Sequence, residues 1–203
     1  MQQINHVVFD LGKVLVDFSY RQFLPLLRSR GAQIRDAEDF AERVNLIDYE
    51  HGRLSTGAFL RGINALLRAP LTEPELQLVW CGIFTPMPQM LHLARQLKSR
   101  LQVYILSNTG AIHWQYLCER FALMDMCKDA FPSCEVGHMK PAREIYTLAE
   151  KRFGFTPTEV VFIDDRLENV IGAQNCGWHG IQHQSYGQTC EALLELGVHP
   201  SEV

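Results

Sequence analysis

The chain has 203 residues, 47% of them apolar, and a formal net charge of −4. That is enough apolar material for one domain, or for one domain with a small insert. The absence of a basic block or stripe argues against a nucleic-acid or anionic-membrane partner, and no apolar run approaches the ~20 residues a membrane-spanning helix needs. The opening MQQINHVVFD lacks a charged region followed by a long apolar one, so the sequence reads as a soluble, cytoplasmic protein. The cysteines at 81, 118, 127, 134, 176 and 190 form no C-x-x-C pair and are expected to be buried, reduced thiols. The histidines show no zinc-binding spacing; His113 and His138 read as surface or hydrogen-bonded residues.

In chain order, the first predicted element is a strand, HVVFD, which ends in Asp10. Residues 18–87 break the rhythm and hold no convincing strand. SYRQFLPLLRSRG opens with a Ser19/Gln22 capping box, LSTGAFLRGINALLRAP spaces Phe59, Ile63, Leu66 and Leu67 as one helical face, and TEPELQLVWCGIF offers a Thr72/Glu75 box. A helix over 88–100 leads into the strand LQVYILS, which ends in Ser107-Asn108-Thr109-Gly110, and a helix over 111–124 follows. DAFPSC (129–134) reads as a short strand. KPAREIYTLAEKRFG (140–154) reads as a helix with its proline in the first turn and a closing glycine. The strand EVVFIDD ends in Asp164 and Asp165, a helix covers 166–177, and HGIQH (179–183) is a last strand.

The three long apolar runs show no polar alternation, which is the pattern of strands buried on both faces of a parallel sheet. Their alternation with helices predicts an α/β fold: a Rossmann-like, doubly wound parallel sheet from residues 1–17 and 88–203, with an all-helical insert at 18–87. The insert leaves and re-enters the sheet domain near the same place.

Ligands in such sheets bind at the carboxyl ends of the strands. Asp10, Ser107 and the Asp164–Asp165 pair would converge there. Two charges ~4 Å apart repel by several kcal/mol at intermediate dielectric, so the acids need a counter-charge or retained protons. A hard divalent cation meets that need, and Mg2+ suits carboxylates combined with phosphate oxygens. Lys140 is a second candidate counter-charge. SNTG follows a strand and opens a helix, where exposed amides favour a phosphate. A carboxylate, a cation, a lysine and amides around one anion are the equipment of phosphoryl transfer, with a carboxylate able to act as nucleophile.

Four stretches carry a family resemblance. FDLGKVLVD, LSNT, MKPAREIY and FIDDRLENVIGA are similar, in order and spacing, to the four motifs of the haloacid dehalogenase-like hydrolase superfamily. Residues 18–87 stand where that superfamily's helical cap stands, and the D-L-G first motif resembles the bacterial alpha-D-glucose-1-phosphate phosphatase-like group. The resemblance implies that Asp10 is the nucleophile and a magnesium ligand, and that the Gly12 carbonyl, Asp165 and Asp164 complete the metal's protein ligands. Ser107, the Asn108 amide and Thr109 would bind the phosphoryl group, and Lys140 would orient Asp10 and neutralise phosphate charge. Asn169 stands where a further acid is common.

One motif residue is missing. The usual phosphatase motif has an aspartate two residues after the nucleophile, which protonates the leaving oxygen; here that place is Gly12. A phosphatase of a small phosphorylated metabolite such as a sugar phosphate, a 2-haloacid dehalogenase, and a non-catalytic binding protein all fit this gap. The acid pair at 164–165 argues against the dehalogenase. Lys13 either faces solvent or meets the leaving group. Asp17, Arg21, Tyr49, His51 and Arg53 of the insert are candidate substrate contacts.

Overall fold

The described residues, 3–199 of a computed structural model, begin with β1 (His6–Phe9), which leads through a turn into β2 (Val16–Phe18). Five helices follow: α1 (Phe23–Ser29), α2 (Ala37–Arg43), α3 (Leu46–Glu50), α4 (Thr56–Ala65) and α5 (Glu73–Cys81). After β3 (Phe84–Pro86) come α6 (Pro88–Lys98), β4 (Gln102–Ser107), α7 (Ala111–Phe121), α8 (Leu123–Met126), β5 (Asp129–Pro132) and α9 (Ser133–Val136). The chain closes with α10 (Arg143–Phe153), β6 (Val160–Asp164), α11 (Leu167–Gln174), β7 (His179–Gln182) and α12 (Tyr186–Glu195).

Five strands form one parallel sheet in the order β5-β4-β1-β6-β7. Successive residues of β1 point to opposite faces. Val7 and Phe9 join an apolar cluster with Leu93 of α6 and Leu193 of α12, whereas Val8 joins one with Tyr146 of α10 and Ala173 of α11. Helices on both faces explain why the strands read as unbroken apolar runs. A third cluster lies in the inserted segment, where the rings of Phe23, Phe40 and Phe59 pack on Trp80 with centroids 5.0, 5.6 and 5.4 Å away. Among the described residues no helix is long and apolar enough to cross a membrane.

Four local expectations are corrected. Residues 18–87 do contain strand: β2 and β3 pair antiparallel, Val16 with Pro86 and Phe18 with Phe84, tying the two ends of the insert together. Three-residue strands almost seventy positions apart, one of them proline-flanked, leave no periodic trace. The Ser19/Gln22 box does not form. The Ser19 amide donates to the Ile83 carbonyl and so extends the ribbon, and α1 starts only at Phe23. The helix expected over 111–124 breaks at Ala122, whose φ of 50° is left-handed. Lys140 and Pro141 precede α10 rather than opening it, because the Asn108 side chain holds the Lys140 backbone out of the helix at both its N–H and its C=O. By contrast, at Thr72/Glu75 the Glu75 carboxylate accepts from the Thr72 amide at 2.8 Å.

All six cysteines are free; Cys81 and Cys127 are buried and the other four half-buried. Burial pushes the Cys81 thiol up to about 11 and that of Cys127 up to about 12, so both are poor nucleophiles.

Candidate active site

The sheet's register assembles the site. Phe9 of β1 pairs with Ile105 of β4 and Ile163 of β6. The next residues along, Asp10, Leu106 and Asp164, therefore stand level at the carboxyl edge. β1 is also the strand from which the chain winds outward in both directions, the switch point where such sheets place their ligands.

Lys140 closes the group from above. An ammonium has three donors, and all three are engaged: Asp10 Oδ1 at 2.7 Å, Asp164 Oδ2 at 2.6 Å and the Leu106 carbonyl at 3.0 Å. Burial alone would lower the lysine's pKa, but the charges of Asp10 and Asp164 outweigh it and the net shift is upward, so the group stays cationic. Asn108 fixes this lysine, donating from Nδ2 to its carbonyl at 2.9 Å and accepting its N–H at 2.8 Å. Asp164 is fully buried, and its oxygens also accept from the Arg166 amide at 2.8 Å and from Asn169 Nδ2, 3.0 Å from each. The Asn169 amide thus supports Asp164 from below.

Asp10 has its Leu11 amide donor at 2.6 Å. Burial raises its carboxyl to about 7; Lys140 opposes the rise and Asp164 adds to it. Burial, and next the charge of Asp164, also raises half-buried Asp165. Asp10, Asp164 and Asp165 each offer an oxygen within 4.8 Å of the others. One lysine against three carboxylates leaves the cluster short of positive charge. A small, hard divalent ion with oxygen ligands fits that donor set.

Beside the cluster is a cavity of about 80 Å³, lined by Gly12, Ser107, Asn108 and Thr109 from the sheet domain and by Phe18, Tyr20 and Glu50 from the insert side. A larger groove of about 400 Å³ is bounded by Leu78, Ile112 and Gln115; Asp10, Asp164 and Asp165 line neither space. The loop after β4 offers fewer free amides than its sequence suggests. The Thr109 amide donates to Ser133 Oγ at 3.0 Å, and the Ile112 amide, in the first turn of α7, donates to Tyr49 Oη at 2.8 Å. Tyr49 is therefore a buried latch between α3 and α7, stacked on Phe59 with centroids 4.0 Å apart, and not an open substrate contact. Gly110 follows from that latch: a Cβ there would lie 2.2 Å from the Tyr49 ring.

The remaining insert candidates point elsewhere. His51 Nδ1 meets the Ile47 carbonyl at 2.9 Å, Arg53 pairs with Asp48 at 3.5 Å, and Arg21 is exposed. Lys13, in left-handed backbone with a φ of 58°, pairs with Asp17 and donates to the Phe18 carbonyl at 2.9 Å, so its ammonium braces the entry to the insert. Sequence reasoning passed over Glu50 and read His113 as a surface or hydrogen-bonded residue; both border the cavity. Glu50 sits between two residues that were singled out, and no local pattern distinguishes it.

Fold and cluster together describe an α/β enzyme that keeps its acids and a lysine at the switch point of a parallel sheet. Residues 4–177 match the family model of the haloacid dehalogenase-like hydrolases, and the chain belongs to that family. It is 28% identical over 193 residues to a D-ribitol-5-phosphate phosphatase of Bacteroides thetaiotaomicron, covering 90% of this chain and 93% of the relative. It is 26% identical over 191 residues to the sesquiterpene phosphatase astK of Aspergillus oryzae, covering 93% and 94%. Among solved structures, the family enzyme bt-2542 of B. thetaiotaomicron, in complex with magnesium and inorganic phosphate, superposes with a TM-score of 0.81 at 26% identity, covering 89% and 94%. An L-2-haloacid dehalogenase of Xanthobacter autotrophicus shares the fold, with a TM-score of 0.63 at 21% identity over 98% of this chain and 85% of its own.

Proposed function

We propose that the protein is a magnesium-dependent phosphatase of a small phosphorylated metabolite, working through an aspartyl-phosphate on Asp10. The observation that carries this reading is the joint placement of Asp10, Asp164 and Asp165 at one strand edge, with the Lys140 ammonium bridging the first two. Asp10, Asp165 and the Gly12 carbonyl would hold the Mg2+. Asp164 contributes less directly, because its oxygens already accept from Lys140, Arg166 and Asn169. Bound there, the ion would neutralise charge on the phosphoryl oxygens.

The chain's own residues do the rest. Lys140 holds the Asp10 carboxylate in one orientation and opposes the negative charge of an incoming phosphoryl group. The Ser107 hydroxyl, in the cavity wall, is a further donor for a phosphoryl oxygen seated beside Asp10. The cavity beside Gly12 and Ser107, about 80 Å³, leaves no room for a folded protein partner. The helical insert, which supplies Phe18, Tyr20 and Glu50 to one wall of this space, acts as a cap whose closure would exclude water from the reacting group. The relatives named as phosphatases and the acid pair both support phosphoryl transfer over dehalogenation, which needs no cation to offset adjacent acids.

The test is phosphate release over a panel of sugar, sugar-alcohol and other metabolite phosphates, with and without Mg2+. We expect turnover that exhaustive chelation abolishes and Mg2+ restores, and that Asp10→Asn eliminates while its circular dichroism stays native. Halide release from 2-haloacids, indifferent to chelator, would replace this reading with a dehalogenase. Substantial phosphate release by Asp10→Asn would refute the nucleophile assignment.

A further inference from the structure

The gap at Gly12 is not an open space. A Cβ built on Gly12 meets the Phe18 ring at 3.1 Å, so the ring of the insert's first strand occupies the side-chain room at that position. The carboxyl group that the cavity does contain comes from the opposite wall. Glu50, the last residue of α3, lines the same small cavity as Gly12, Ser107 and Asn108. Its carboxyl is half-buried and has no hydrogen-bond or ion-pair partner among the described residues.

Its backbone is fixed from several sides. The Glu50 carbonyl accepts from Ser133 Oγ at 2.6 Å, and the same hydroxyl accepts the Thr109 amide. The neighbouring Tyr49 is latched to the Ile112 amide, and Gly52 packs so tightly that a Cβ would lie 2.1 Å from the Cys134 carbonyl. The turn that bears Glu50 is thereby seated on the starts of α7 and α9, the segments that follow β4 and β5, and Ser107 and Asn108 stand at the end of β4.

We propose that Glu50, delivered by the insert, is the general acid and then the general base of the phosphoryl transfer, in place of the side chain that Gly12 lacks; the inference rests on the phosphatase reading above. In the first half, an Asp10 oxygen bonds to phosphorus as the bond from phosphorus to the leaving oxygen breaks. The leaving oxygen takes that electron pair and the Glu50 proton. In the second half, the Glu50 carboxylate takes a proton from water as the water oxygen bonds to phosphorus. The Asp10–phosphorus bond breaks, inorganic phosphate is formed, and both carboxyl groups return to their starting states.

The surroundings suit this. The ionisable groups that share an electrostatic influence with Glu50 are Asp10, the Tyr20 phenol, the Cys134 thiol and the Arg166 guanidinium. Burial raises its pKa to about 7; Arg166 opposes the rise and Asp10 adds to it, so acid and base forms are both accessible near neutrality.

The test compares leaving groups. Glu50→Gln is assayed on p-nitrophenyl phosphate, whose phenolate leaves unaided, and on phenyl phosphate and D-ribitol 5-phosphate, which need a proton. We expect kcat/KM to fall on the order of 10²–10⁴-fold for the two poor leaving groups and less than about tenfold for p-nitrophenyl phosphate. With p-nitrophenyl phosphate the variant should also release one equivalent of nitrophenolate in a burst, because its aspartyl-phosphate persists. An equal loss on all substrates, or no loss on any, overturns the proposal. The unaltered protein gives an independent check. Its kcat/KM for phenyl phosphate should fall as pH rises through the acid's pKa, whereas that for p-nitrophenyl phosphate should not; identical profiles also overturn it. Failure of the phosphatase reading itself looks different, since the unaltered protein would then release no phosphate from any of the three.

Discussion

Acid should destabilise this protein through one histidine. His113, in the first turns of α7, is buried against the insert. Its ring stacks on Trp80 with centroids 4.3 Å apart, meets Phe84 edge-on at 4.7 Å, and its Nε2–H donates to the Trp80 carbonyl at 3.1 Å. Burial pushes its pKa down to about 3, with the Trp80 carbonyl opposing the fall, so the folded protein keeps the ring neutral. In the unfolded chain a histidine titrates near 6.5. Above that pH neither state binds the proton and His113 adds no pH dependence. Below it the unfolded state takes up a proton that the native state refuses. Stability then falls by ~1.4 kcal/mol per pH unit, about 2 kcal/mol by pH 5, and levels off only near pH 3. The assay is urea unfolding followed by circular dichroism at pH 8, 7, 6 and 5, for the unaltered protein and for His113→Gln, which retains an amide donor and does not titrate. The glutamine variant starts lower in stability because it loses the stacking, but the gap should close by about 2 kcal/mol between pH 7 and pH 5. Stability curves that stay parallel over that range would refute the reasoning. Burial also lowers the pKa of His6 and His183 in the folded state, and both variants share that background.

Lys140→Met leaves Asp10 and Asp164 buried without their common cation; the expected cost is about 3–5 kcal/mol, a fall in Tm of about 6–20 °C by thermal denaturation. An unchanged Tm would mean that the ammonium does not offset the two acids. Gly110→Ala puts a methyl group 2.2 Å from the Tyr49 ring and should cost about 1–3 kcal/mol by the same measurement. Tyr49→Phe leaves the Ile112 amide without its acceptor and should cost about 1–3 kcal/mol, and in combination with Gly110→Ala the losses should be less than additive, since both act on one contact.

Much of the sheet and of its acids could be read directly from the chain. A strand buried on both faces is an uninterrupted apolar run, and an acid that terminates such a run stands at a strand end whatever the rest of the fold does. Three such runs separated by helices imply a parallel sheet, and a parallel sheet brings like ends together, so Asp10, Ser107 and the Asp164–Asp165 pair had to meet. Those inferences need only local periodicity and the rules of chain connection. The tertiary structure alone decided what closes the site. Lys140 reaches the acids because Asn108 holds its backbone, Phe18 fills the room beside Gly12, and Tyr49 takes an amide that the helix start would otherwise present. Glu50 comes to line the small cavity beside Gly12 and Ser107, and a serine over eighty residues later grips its carbonyl. Each of these is a contact between distant segments, set by packing and hydrogen bonding in three dimensions, and such contacts leave no period or spacing along the chain.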